Sequence, residues 1–110
     1  MDKINIKVKL ENSDTPYNYS GIAYINKDII EYTDKDYHYI FDKTVKRLVK
    51  SNDKTTLVID FNNKEIKIIE KDKELNMKIE IKKCLINENN VDIVYKVDKN
   101  DIRFQINEVK

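Results

Sequence analysis

Any chemistry in this chain has to start from its rarest reactive side chains. Cys84 is the only cysteine and His38 the only histidine, so a thiolate–imidazole nucleophile needs this one pair brought together by folding. Nothing in their spacing does so, and they read as a small half-buried hydrophobe and a surface ring. The serines stand alone. Zinc asks for nitrogen and sulfur ligands that the chain lacks in number, and an oxygen-only calcium site from Asp14, Asp34 or Asp36 lacks the loop spacing that makes such a site specific. Gly21 is the only glycine, so no Gly-rich loop exists to cradle a phosphate. Carboxylate neighbours such as Asp98 and Asp101 have the right groups for acid–base work. Among 20 acidic residues, however, close pairs arise by number alone, and they read as solvated turns. The expectation is a protein that is not an enzyme and carries no cofactor and no metal.

The one unusual concentration is aromatic. Six of the seven tyrosines fall between Tyr17 and Tyr39, and Tyr37 and Tyr39 flank His38, so a strand puts both rings on one face. Such rings can line the mouth of a ligand-binding barrel, giving apolar area plus a hydroxyl that orients the guest. Tyr17, Tyr19, Tyr24, Tyr37, Tyr39 and Tyr95 are therefore the candidate ligand-binding residues, with a small apolar molecule as the guest. The plainer reading is that tyrosine is a good strand former whose hydroxyl reaches water at a barrel rim. Two others are a surface for a protein partner and a stacking platform for single-stranded bases, with Lys27, Lys35, Lys43, Lys46 and Arg47 on the phosphates. The last is disfavoured, because 21 Lys and Arg against 20 Asp and Glu leave a net charge of +1 and no long-range basic field.

The elements that must position these residues are strands. Ile and Val number 25 against 6 for Leu and Ala together, counted from the sequence, which favours side chains stiff at χ1 that pack on a pleated surface. Ile4, Ile6, Val8 and Leu10 alternate with Asn5, Lys7 and Lys9, so every apolar side chain falls on one face. Residues 12–16 read as a turn, residues 17–25 and 29–33 as a hairpin around residues 26–28, and Gly21 as a bulge, a bend or a close backbone approach. Later strands carry Leu57, Ile59 and Phe61; Ile66 and Ile68; Leu75, Met77, Ile79, Ile81 and Leu85; Val91, Ile93, Tyr95 and Val97; and Ile102, Phe104 and Ile106. Asn62 and Asn63 read as a two-residue loop, because Asn accepts the left-handed backbone that tight hairpins need.

Residues 37–50 satisfy two patterns. Phe41, Val45, Leu48 and Val49 have helical spacing, which allows a short helix near residues 40–50, while Tyr37, Tyr39 and Phe41 alternate as a strand does. The whole chain, 1–110, reads as a single all-β domain: an up-and-down antiparallel meander of about eight or nine strands closed into a barrel. A two-sheet sandwich satisfies the same alternation.

The stretches "DKTVKRLVKSNDKTTLVIDFNNKEIKII", "ELNMKIEIKKC" and "VDIVYKVDKNDIRFQINEV", preceded by "INIKVKL" and "GIAYINKDIIEYT", resemble in strand order and spacing the YwiB-like family of small bacterial calycin-type barrels, a family of unknown function. The likeness spans nearly the whole chain. It differs at Asp60, Phe61, Asn62 and Asn63, where the family tends to have an Arg-Gly type turn. What it implies is a lipocalin-like barrel, with no catalytic residues to carry over.

With one cysteine, no disulfide can form within the chain. No apolar run has the length of a signal peptide or a membrane span, so the expected setting is cytoplasmic. Two functions stay open: a barrel that binds a small apolar ligand, and a protein-interaction module using the tyrosine surface or a free sheet edge such as residues 4–10 or 102–109.

Overall fold

The computed structural model describes residues 2–13 and 16–110. Asp14 and Thr15, and with them the Asp14 ligand considered above, lie outside the described residues. The elements are β1 (Asp2–Glu11), β2 (Tyr17–Asn26), β3 (Ile29–Thr33), β4 (His38–Asp42), β5 (Arg47–Ser51), β6 (Thr55–Asp60), β7 (Glu65–Glu70), β8 (Lys73–Lys78), β9 (Glu80–Asn87), β10 (Asn90–Val97) and β11 (Asn100–Val109). Among the described residues no helix is long and apolar enough to cross a membrane.

All eleven strands of the described residues belong to one antiparallel sheet in the order β8-β7-β6-β5-β4-β3-β2-β1-β11-β10-β9. The two ends of that order, β8 and β9, are consecutive in the chain and separated only by Ile79. One extended segment therefore carries the sheet round to its starting point, and the meander forms a nearly closed barrel. A single sheet of this kind replaces the sandwich alternative.

The alternation read from sequence sets the inner face. β1 and β11 pair with each other, Val8 opposite Ile106 and Leu10 opposite Phe104, which corrects the expectation that residues 4–10 or 102–109 form a free edge. Ile6, Val8, Ile30, Phe41, Ile93 and Ile106 are no more than 1% exposed, and burying each such side chain contributes about 1.5–3 kcal/mol. The lumen is filled by rings: Phe41 lies 6.0 Å from Phe104, and Phe61 lies 6.5 Å from Phe104 and 5.5 Å from Tyr95, centroid to centroid.

Residues 40–50 contain no helix. β4 and β5 are antiparallel strands around a turn at residues 43–46, with Phe41 opposite Leu48 on the inner face and Ile40 opposite Val49 on the outer. The spacing that suggests a helix is a hairpin's cross-strand pair. Splitting this stretch, and dividing residues 73–87 into β8 and β9, accounts for more strands than the sequence suggested. The β6–β7 connection is also longer than expected. Phe61, Asn62, Asn63 and Lys64 form it, and the left-handed residue is Lys64 (φ 58°), not either asparagine. The Asp60 carboxylate accepts the N–H groups of Asn62 and Asn63 at 3.1 and 2.9 Å, which fixes the turn through an Asx interaction.

Candidate functional site

One end of the barrel holds a column of tyrosines. Tyr17 and Tyr19 alternate on the inner face of β2, opposite Leu10 and Val8, while Tyr32 of β3 stands opposite Tyr39 of β4. The rings run Tyr19–Tyr32–Tyr39–Tyr17 with centroid separations of 5.2, 4.6 and 5.4 Å. Tyr37, just before β4, meets Tyr39 edge-on at 6.3 Å. Contacts of this kind contribute about 0.5–1.5 kcal/mol per pair beyond the area they bury. Burial is graded along the column: Tyr32 and Tyr39 are 1% and 3% exposed, whereas Tyr17, Tyr19 and Tyr37 are half-buried.

Two charged groups complete this end. The Asp34 carboxylate accepts the N–H groups of Asp36 and Tyr37, each at 2.8 Å, and the Tyr39 hydroxyl at 2.9 Å. Burial alone raises its pKa, but these backbone donors and the nearby Tyr17 and Tyr39 hydroxyls outweigh burial and hold the carboxyl below the usual aspartate value. Lys50 extends the row on the inner face, opposite Tyr39. Its ammonium lies 4.2 Å from the Tyr37 ring centre and 5.8 Å from that of Tyr39, a cation–π arrangement.

Two oxygens in the column stand apart. The hydroxyls of Tyr17 and Tyr32 are buried and have no hydrogen-bond partner among the described residues. Burial pushes both phenols above the ordinary tyrosine value; Tyr39 and Asp34 add to the rise, close to Tyr17 without a bond of good geometry and acting through charge at Tyr32. Tyr39 is raised by burial as well, and the Asp34 charge adds to it. At this end the proton stays on the phenols and the negative charge on the carboxylate.

Of the residues expected from sequence, Tyr17, Tyr19, Tyr37 and Tyr39 come together. Tyr24 does not: it lies 41% exposed on the opposite face of β2, with the Lys3 ammonium 5.7 Å above its ring. Tyr95 is buried against Phe61 inside the barrel, and burial pushes its phenol up to about 12. Sequence reading missed Tyr32 and Lys50, and weighed Asp34 only as a calcium ligand. Tyr32 carried a signal in its period-two spacing from Ile30, but pairing it with Tyr39 needs the β3–β4 register.

The other candidate chemistries are not assembled. His38 contacts Thr33 Oγ1 at 2.9 Å and Glu31 Oε2 at 2.6 Å on the outer face, while Cys84 packs towards the core from β9. Asp98 and Asp101 are exposed beside the β10–β11 turn. Among the described residues no group of three or more His, Cys, Asp or Glu could hold a metal ion. Lys27 follows the end of β2 opposite to Tyr17, and Lys43 follows the end of β4 opposite to Tyr37. Most of the lysines considered as phosphate contacts thus sit at the far end from the rings. No protein family, curated protein or solved structure matches this chain.

Proposed function

We propose that this barrel is a non-catalytic binding domain that accepts a small ligand, flat and apolar on its face and polar at its edge, at the tyrosine-lined mouth. The buried hydroxyl of Tyr32, without a partner among the described residues, carries this reading, with that of Tyr17 beside it. Leaving a buried hydroxyl unpaired costs about 1–3 kcal/mol, and native folds keep few such groups. Two of them in one aromatic column, beside Asp34 and Lys50, suit a guest that stacks on a ring and exchanges hydrogen bonds with phenols. The ring-filled lumen favours a guest at the mouth over an apolar molecule enclosed within the barrel. Kinship with YwiB-like calycin barrels belongs to the same proposal, supported by the meander order and the near closure of the sheet. So does a bacterial, cytoplasmic setting, supported by that kinship and by a single cysteine in a chain without disulfides.

The test is native mass spectrometry of the chain purified from its own cells, followed by titration of any released compound using tyrosine emission, which tryptophan does not obscure here. Added mass is expected on the wild type. Tyr32→Phe keeps the ring and removes the unpaired oxygen, so it should bind about tenfold more weakly, the weight of one hydrogen bond. Equal binding by Tyr32→Phe, or a wild type that carries no added mass, rejects the proposal.

A further inference from the structure

The two ends of the sheet are defended differently. Among the described residues β9 pairs only with β10, and its ladder is broken by a bulge between Val94 and Tyr95 that leaves Lys82 without an opposite residue. Lys82 and Lys83 are both exposed there. A bulge and adjacent lysines are devices by which edges resist pairing with another chain. β8 has no bulge and carries its lysines singly, at Lys73 and Lys78. Its register with β7 is unbroken from Glu70 opposite Lys73 to Glu65 opposite Lys78, and its residues are exposed throughout except for half-buried Met77. Leu75, on the inner face, is 56% exposed.

The direction of the backbone groups follows from one hydrogen bond. Ile79 N–H donates to the Lys64 carbonyl at 3.0 Å, so the odd-numbered residues of this extended segment aim their backbone groups at β7. Glu74, Asn76 and Lys78 therefore aim theirs away from the sheet. In an antiparallel pairing of two such edges centred on Asn76, Glu74 of each copy faces Lys78 of the other, Asn76 faces Asn76, and Leu75 faces Met77. Opposite charges meet on one face and apolar side chains on the other, while the free N–H and C=O groups fall opposite each other. On β9, centring such a pair on Lys82 or Lys83 sets lysine against lysine.

We propose that β8 is a self-association edge whose occupant is β8 of a second copy of this chain, joined antiparallel about Asn76. Two barrels then share one continuous sheet, and the exposed Leu75 is covered. Leu75 continues the inner-face row that runs through Ile68 and Leu57 to Lys50 and Tyr39, but no residue of the proposed edge belongs to the tyrosine column, so either proposal stands without the other.

The experiment is sedimentation velocity with light scattering on the full chain over a concentration series, using the wild type, Glu74→Lys, Lys78→Glu and an equimolar mixture of the two variants. The wild type should dimerise. Each single variant places like charges opposite each other twice and should associate about tenfold or more weakly. The mixture restores both opposite-charge pairs and should dimerise as a heterodimer. Circular dichroism confirms that each variant keeps its strands, which is expected because both substitutions are at the surface. A wild type that stays monomeric at the highest concentration overturns the proposal. So do single variants that dimerise as the wild type does, or a mixture that associates no better than its components.

Discussion

The ring of Tyr19 lies across Gly21: a β-carbon added to Gly21 would stand 2.5 Å from the Tyr19 hydroxyl oxygen and 2.8 Å from its Cζ. Both residues face inward two positions apart on β2, and the Tyr19 hydroxyl donates to the Ile22 carbonyl at 3.1 Å. The only glycine in the chain is thus the floor on which the outer ring of the tyrosine column rests. Gly21→Ala should push that ring off Tyr32 and cost about 1–3 kcal/mol. Denaturant unfolding of Gly21→Ala, Tyr19→Ala and the double variant forms a cycle that measures the coupling. Additive losses would show that the two residues do not meet in solution.

How much of this was legible follows from what each residue depends on. The inner faces of β1, β10 and β11 were readable because Val8, Ile93 and Phe104 belong to runs whose period alone decides which way they point. Phe41 and Leu48 were ambiguous, since the spacing that joins two strands across a hairpin also fits two turns of a helix, and only the register separates them. At the mouth, Tyr17, Tyr19, Tyr37 and Tyr39 could be found as a concentration of one residue type. Tyr32 became central through cross-strand pairing with Tyr39, and Asp34 through a turn that folds its carboxylate back onto a ring. Gly21 reads from sequence as a bulge, a bend or a close approach, and the contact is with the ring of Tyr19 two residues before it.

The turns carry an avoidable strain. Lys27, Lys46, Lys64 and Lys71 have φ between 55° and 58°, in the left-handed region where a β-carbon is unfavourable and Asn or Gly is at ease. Lys64→Asn and Lys71→Asn should each stabilise the fold by about 0.5 kcal/mol. Thermal unfolding of the single and paired variants checks this, with midpoints rising in near-additive steps. An unchanged or lowered midpoint would contradict the backbone geometry.

At alkaline pH the tyrosine column should decide when the barrel opens. Tyr17, Tyr32 and Tyr39 hold their protons more tightly folded than unfolded, chiefly through burial. Their contribution to stability is therefore complete below the unfolded tyrosine pKa of about 10 and is lost as the pH rises above it. Phenolate absorbance and strand circular dichroism, followed together, should show these phenols ionising only as strand signal disappears. Ionisation of all seven tyrosines with the strand signal intact would refute it.

At acid pH the outer face takes over. Arg103 donates to both Asp92 oxygens, Nε to Oδ1 and Nη2 to Oδ2, each at 2.9 Å, and the Lys83 ammonium reaches Oδ2 at 2.9 Å. These groups tie β9, β10 and β11 together. The Arg103 hydrogen bonds lead in lowering the Asp92 pKa from 3.8 to about 2, against the upward push of burial and with help from Lys83. Because the folded pKa is the depressed one, the stabilisation is present above about pH 4 and lost as the pH falls towards 2. Asp34, also depressed, adds in the same direction. Asp92→Asn should flatten the decline in urea midpoint across that window, leaving the smaller slope from Asp34. Arg103→Lys keeps the charge but not the two-pronged geometry, so it should fall between the wild type and Asp92→Asn. If Arg103→Lys matches the wild type, net charge and not the forked hydrogen bond is what holds Asp92 ionised.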